Sequence, residues 1–268
     1  MLKVEIVRID VSNQEARKMT DYVAQEKPFY VFLNRTHYAT IYCSPSNLKE
    51  LAVGHVLSEG IVETIEEIQE INLEAEKGVC HVKLMPQVNL EKRLKLSKHF
   101  SRVILSACGT KAPYQPSRRL AKIRSNLKVK PEVILNSINS LNFIAKIFRK
   151  TGGVHVAAIY KVDGTLVAFA EDVGRHNAVD KVIGITSQNK ILLGNCFLVL
   201  SGRLTGDIVF KAARVGLPLV ASLAAAIDSG ITIAKDVNLT LIGFVRGKRM
   251  NVYTSPERIL QKERTNRC

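Results

Sequence analysis

Beyond Pro131 the sequence switches repeatedly between helical and strand patterning, and that alternation leaves few folds open. Pro131 suits the first turn of a helix, with Ile134, Ile138, Leu141, Ala145 and Phe148 along one face and Gly152 and Gly153 as its stop. The runs "VHVAAIY" and "LVAFA" flank Lys161-Val162-Asp163-Gly164, a hairpin signal. A helix over "RHNAVDKVIG" follows, then a strand at "CFLVL", a helix over "DIVFKAARVG" and a strand at "LPLVAS". A helix near residues 224–236 leads to the strand "LTLIGFV". A hairpin joined to βαβ crossovers predicts a mixed sheet with helices on both faces.

Residues 1–104 read as a small α+β domain. "FYVFLNRTHYATIYC" gives two strands around an Asn-Arg-Thr turn. Asn47 stands three residues before Glu50, a capping-box start for "LKELAVGHVLSE", and Gly60 stops that helix. Short strands follow around "IQEIN" and "VCHVKL". Residues 105–130 are punctuated by proline and rich in cations, so they read as a mobile or extended segment carrying Cys108. Residues 131–268 form the larger α/β domain.

Charge is distributed unevenly. Residues 1–78 hold 8 Lys+Arg against 13 Asp+Glu, whereas residues 79–150 hold 16 against 2. The positive excess therefore surrounds Cys108 in sequence, and it suits a phosphate-rich partner, either a nucleotide cofactor or nucleic acid. A solvated basic surface is the alternative. There is no tryptophan and no aromatic run of the RNA-recognition type, which argues against nucleic acid. No apolar run is long enough to span a bilayer, and "MLKVEIVRID" has no signal-peptide pattern, so a cytoplasmic location is expected with no membrane partner.

Five cysteines with no close pair suit a reducing compartment. Cys43, Cys80 and Cys196 lie in strand-like runs and read as core thiols, while Cys268 is a chain end. Cys108 differs. It closes the apolar run "VILSA", precedes Gly109 and lies among cations that favour thiolate. No H-x-E, C-x-x-C or H-x-x-x-H occurs, so no metal site is expected and a zinc deaminase is excluded.

Three other stretches carry candidate chemistry. In "VLSGRLTGD" a strand runs through Gly202, Arg203 and Gly206 into a helix, either as a structural turn or as a phosphate contact, with Thr205 or Asp207 as the cap. In "EDVGRHNAVDK" Arg175 opposes the helix macrodipole, so an anionic ligand, Glu171 or Asp172 must compensate it. His176 and Asp180 lie four apart on one helical face and could pair, in a structural role or as an oriented imidazole. In "GFVRGKRMNVY" Phe244 stands beside Arg246, Lys248 and Arg249 around Gly247, just after a strand, either as a basic turn or as a ligand edge, where open α/β sheets bind ligands.

These stretches resemble one family. "TGGVHVAAIYKVDGTLVAFAEDVGRHNAVDKVIG", "LSGRLTGDIVFKA", "TLIGFVRGKRMNVYTSPERI" and "LKELAVGHVLSEGI" are similar to the formate dehydrogenase accessory sulfurtransferase family, FdhD, over roughly residues 28–260. The resemblance implies a cytidine-deaminase-like α/β domain without zinc. It implies a sulfur carrier that receives persulfide sulfur from a cysteine desulfurase and delivers it to the Mo-bis(molybdopterin guanine dinucleotide) cofactor for the formate dehydrogenase catalytic subunit. GDP-like nucleotides would occupy the cofactor site, and the assembly would be a homodimer. Cys108 matches the persulfide cysteine, and Phe244, Val245, Arg246, Gly247, Lys248 and Arg249 match the cofactor-binding segment. Two positions depart from the pattern. Lys111 stands where many members have a second cysteine, and Ala225-Ala226-Ile227 stands where members often have Ala-Pro-Thr. The alternative function is a non-catalytic chaperone that binds and protects the guanine dinucleotide cofactor.

Overall fold

The first strands rise from alternation that begins at the N-terminus. In a computed structural model, which describes residues 1–97, 102–104 and 120–260, β1 (Leu2–Asp10) and β2 (Glu15–Val23) pair antiparallel as a two-stranded ribbon. The sequence analysis predicts no hairpin here. Lys150 Nζ sits 3.6 Å above the Tyr22 ring and ties the ribbon to the rest of the chain.

β3 (Lys27–Leu33) and β4 (Thr36–Cys43) form the expected hairpin. Asn34 and Arg35 both take left-handed backbone, which matches the twist of the flanking strands. α1 (Leu48–Ser58), β5 (Ile68–Glu74), β6 (Val79–Leu84), α2 (Leu90–Ser97) and β7 (Arg102–Ile104) complete a five-stranded sheet in the order β5-β6-β3-β4-β7. The capping box at α1 does not form. Asn47 is the N-cap but lies in the left-handed region and makes no side-chain cap hydrogen bond.

Residues 120–130 form no helix or strand beyond an isolated bridge at Val129, and Ile123, Leu127 and Val129 are buried, the Ile123 amide donating to the Val237 carbonyl. Residues 105–119, the rest of the expected mobile segment, lie outside the described residues. α3 (Pro131–Ile144) starts at the proline as expected, and Ile134, Ile138 and Leu141 are buried. Each such burial contributes roughly 1.5–3 kcal/mol. The helix does not run on to Gly152. It breaks at Ala145 and restarts as α4 (Lys146–Thr151), because the Glu171 carboxylate accepts from the amides of Ile147 and Phe148 and caps the second piece.

β8 (His155–Lys161), β9 (Leu166–Asp172), α5 (Arg175–Gln188), β10 (Cys196–Leu200), α6 (Gly206–Arg214), β11 (Leu219–Ser222), α7 (Asp228–Asp236) and β12 (Thr240–Arg246) follow the order read from the sequence. β13 (Arg249–Thr254) adds an antiparallel edge strand. The six-stranded sheet has the order β13-β12-β11-β10-β8-β9, with β10, β11 and β12 mutually parallel. Period-2 alternation decides its two faces. Phe197 and Val199 meet α3, while Cys196, Leu198 and Leu200 join a core with α5 and α6. The fold is thus α/β, with a mixed sheet, helices on both faces and a smaller N-terminal α+β part.

The α5 side is also where that part docks. α1 crosses α5 so closely that a Cβ on Gly54 would fall 1.7 Å from the Asp180 carbonyl oxygen, and one on Gly184 would fall 2.0 Å from that of Glu50. Only glycine permits this backbone contact. The core on this face therefore includes residues of both sheets, such as Val31, Ile41 and Leu198, with Val53 of α1 and Val182 of α5 between them.

Candidate functional site

The parallel strands β10, β11 and β12 end together, and the loops after them are tied into one edge. Ser222 Oγ donates to the Leu200 or Gly202 carbonyl, and the Leu204 amide donates to the Ala225 carbonyl. The Ile227 amide returns a bond to the Leu204 carbonyl, and the Phe244 amide donates to the Ala224 carbonyl. The Gly202–Gly206 turn, Ala225-Ala226-Ile227 and the end of β12 are thus neighbours, brought from distant sequence by strand pairing.

At that edge β12 and β13 join through Gly247 and Lys248, so the cationic stretch is a hairpin turn between paired strands. A register shift between Gly243 and Arg246 marks a bulge, and Phe244 takes φ 51. A bulky residue pays strain in that region, and bulges of this kind re-aim side chains. Phe244 is half-buried, Arg246 Nε donates to the Leu223 carbonyl at 2.9 Å, and the guanidinium carbon lies 5.6 Å from the Phe244 ring centre. Arg246, Gly247, Lys248 and Arg249 are exposed. Val245 is different, because its side chain is buried in the core beneath α3 and only its backbone reaches the edge. A planar aromatic beside a fixed guanidinium, with further cations on a turn, can stack on a purine base and bind its phosphates.

The Glu171–Lys181 stretch divides its residues between two jobs. Asp172 pairs with Lys181 at 2.6 Å, both side chains fully buried, and accepts from the Ser44, Gly174 and Asn177 donors. Asn177 also donates to the Tyr42 carbonyl. Asp180 accepts from Ser58 Oγ at 2.6 Å, from His55 Nδ1 at 2.9 Å and from Lys211 Nζ at 2.9 Å, and Lys211 also pairs with Glu59. Burial alone would raise the Asp180 carboxyl, but Lys211, His55 and Ser58 hold it below its usual range. Asp180 therefore pairs with His55 and not with His176, and these residues weld α1 to α5 and α6. Glu171 caps α4, and Asp172 holds Lys181.

Arg175 and His176 instead face the loop after β10. A Cβ on Gly202 would meet the Arg175 Cβ at 3.1 Å and His155 Nδ1 at 3.6 Å. The His155 imidazole is depressed by burial and then by Arg175, with Arg203 adding to it. Thr205 is the N-cap residue of α6 but makes no side-chain cap bond, and Asp207 lies inside the first turn; the Gly206 amide donates to Ser229 Oγ from α7.

The FdhD/NarQ family model matches residues 24–260. The chain belongs to the FdhD/NarQ family. It is 36% identical over 247 residues to the sulfur carrier protein FdhD of Staphylococcus haemolyticus, with 91% of this chain and 92% of that one covered. The protein of the same name from Shouchella clausii is 36% identical over 251 residues, with 91% and 92% covered. A crystal structure from Desulfotalea psychrophila, described as a formate dehydrogenase accessory protein, superposes with a TM-score of 0.77 at 27% identity, covering 97% of this chain and 99% of that one.

Cys108 and Lys111 lie outside the described residues, as does Cys268. Cys43, Cys80 and Cys196 are buried strand residues, and burial pushes the thiols of Cys43 and Cys80 up to about 12. Among the described residues no cluster of His, Cys, Asp and Glu is placed to hold a metal, and no helix is long and apolar enough to cross a membrane. Sequence reasoning missed the partners of Asp180 altogether. His55 and Lys211 lie on two other helices, and the only available signal was the burial-prone spacing of Gly54 and Gly184 in helical runs.

Proposed function

We propose that this chain is a sulfur carrier serving formate dehydrogenase, acting in the cytoplasm. It accepts persulfide sulfur from a cysteine desulfurase on Cys108 and passes it to the Mo-bis(molybdopterin guanine dinucleotide) cofactor held at the edge beyond β10, β11 and β12. The Cys108 thiolate attacks the terminal sulfur of the donor persulfide, the donor's S–S bond breaks, and the donor cysteine leaves as thiolate, so no net oxidant is needed. The relatives' name, sulfur carrier protein, and the structural neighbour's description as a formate dehydrogenase accessory protein support this reading.

The observation that carries it is the pairing of Phe244 with Arg246 on a bulge, beside the Lys248 and Arg249 cations. That arrangement suits a guanine with its phosphates, so Phe244, Arg246, Lys248 and Arg249 would hold one nucleotide end of the cofactor, with the backbone at Val245 and Gly247 allowing close approach. The cofactor supplies the metal centre that takes the sulfur; this chain binds, orients and delivers.

The deciding experiment is intact mass of the chain after incubation with a cysteine desulfurase and cysteine. An added sulfur, about 32 Da, mapped to Cys108 supports transfer. Full activation of the client enzyme by Cys108→Ser would leave the non-catalytic chaperone as the function. A homodimer is the expected assembly, and light scattering on the purified chain tests it.

A further inference from the structure

Apart from the welding residues, the Glu171–Lys181 stretch carries Arg175 and His176, the first two residues of α5. His176 is 8% exposed, and its Nε2 is buried with no hydrogen-bond partner. That atom points from the first turn of α5 at the first turn of α6, where Asp207 Oδ2 lies 3.9 Å away, beyond hydrogen-bond reach. Thr205 Oγ1, at the N-cap of α6, is likewise buried without a hydrogen-bond partner. Two buried polar atoms left unsatisfied at facing helix starts cost stability unless something binds them.

The surroundings fix the charge of that ligand. Two helices of 14 and 9 residues begin at this gap; neither N-cap side chain makes a cap hydrogen bond, and at α5 the Gly174 amide donates to the Asp172 carboxylate. Their N-termini favour an anion. Arg175 stands at the start of α5, where its charge opposes the macrodipole, and Arg203 approaches His155 from the loop after β10. Of the carboxylates facing the gap, Asp180 and Glu59 are bound by Lys211, and Asp207 is the exposed one. His176 is a neutral imidazole, depressed to about 3 by burial and then by Lys211 and Arg175, so it offers an N–H without adding charge.

We propose that the gap between the first turns of α5 and α6 is a phosphate subsite. Arg175 and Arg203 supply its charge, His176 Nε2 and Thr205 Oγ1 its buried hydrogen bonds, and the two helix N-termini the remaining donors. Its place beside the Gly202–Gly206 turn, which strand pairing ties to the Phe244 edge through Ala225, suits a second phosphate of the same dinucleotide; this assignment rests on the proposed nucleotide site.

Calorimetric titration of the full chain with GDP and, separately, with inorganic phosphate tests the subsite. Arg175→Gln and Arg203→Ala should each weaken at least one of the two ligands about tenfold or more, and Asp207→Asn should tighten it. Arg203 is exposed, so its variant keeps the test decisive where a packed variant fails to fold. Loss confined to inorganic phosphate identifies a free oxyanion as the occupant, and loss with GDP identifies a nucleotide phosphate. Unchanged affinity for both ligands in Arg203→Ala and in folded Arg175→Gln overturns the subsite, as does absence of binding of both ligands to the wild-type chain. Arg246→Ala reads the nucleotide edge independently: it should weaken GDP and leave inorganic phosphate within twofold of wild type.

Discussion

Lys211 on α6 reaches Asp180 on α5 at 2.9 Å, and both side chains are almost wholly buried. Ser58, His55 and Glu59 at the end of α1 complete the cluster, so three helices from two sheets meet on one ion pair. Burial would depress Lys211, yet the Asp180 and Glu59 carboxylates hold it above its usual range. The consequence is a joint that fails when one charge is removed.

Asp180→Asn is expected to destabilise the chain by about 3–5 kcal/mol, because it leaves Lys211 buried with one partner fewer. Lys211→Met alone should cost a similar amount. The double variant should cost clearly less than the two together, since neither charge is then stranded. Urea titration of the four proteins measures the coupling, and simple additivity would show that the pair is not the joint.

Gly54→Ala and Gly184→Ala each force a methyl into the backbone of the facing helix. Separation of α1 from α5 should lower stability by roughly 3 kcal/mol or more, at the upper end of overpacking. Thermal unfolding checks this, and a near-neutral effect would mean that the two helices are held apart in solution.

Stability should fall as the solution is acidified from about pH 6.5. His176 is held at about 3 in the folded chain and returns to its ordinary value when unfolded, so the unfolded state binds the extra proton in that window. The contribution is fully present above pH 6.5 and is lost by roughly 1.4 kcal/mol per pH unit below it. His176→Asn should flatten that part of the stability curve. An unchanged slope would assign the acid sensitivity to the carboxylates.

Arg246→Ala should weaken GDP binding by about 1.5–3 kcal/mol, the range for a charge-assisted hydrogen bond. The Leu223 carbonyl also loses its donor. Calorimetry on the Arg246/Arg249 double alanine decides whether the β12–β13 turn belongs to the site, because full affinity there would remove it.

Alkylation of the native chain should leave Cys43, Cys80 and Cys196 untouched, since all three thiols are buried and those of Cys43 and Cys80 are raised to about 12. Peptide mapping after brief iodoacetamide treatment should find Cys108 modified. Cys108→Ser should keep fold and GDP affinity while abolishing activation of the client enzyme.

The order of helices and strands beyond Pro131 was written in the sequence, because buried alternation and amphipathic spacing are local properties of the chain. So were the β3–β4 turn, the three core cysteines and the cationic turn after Phe244. The β1–β2 ribbon was not: β1 alternates apolar and charged residues, but its partner β2, EARKMTDYV, carries no such period, because most of the ribbon stays exposed. The break at Ala145 was hidden for another reason: its cap, Glu171, comes from a different strand. The motif from Glu171 to Lys181 shows the division most clearly. Its composition promised chemistry at a helix start, and one chain position after another offered a partner for Arg175 or His176. Which carboxylate met which cation was decided only when α1, α5 and α6 packed, since ion pairs and hydrogen bonds form across space and leave no period along the chain. Packing assigned Asp172, Asn177, Asp180 and Lys181 to holding the fold together, and it left Arg175 and His176 at the gap between two helix starts.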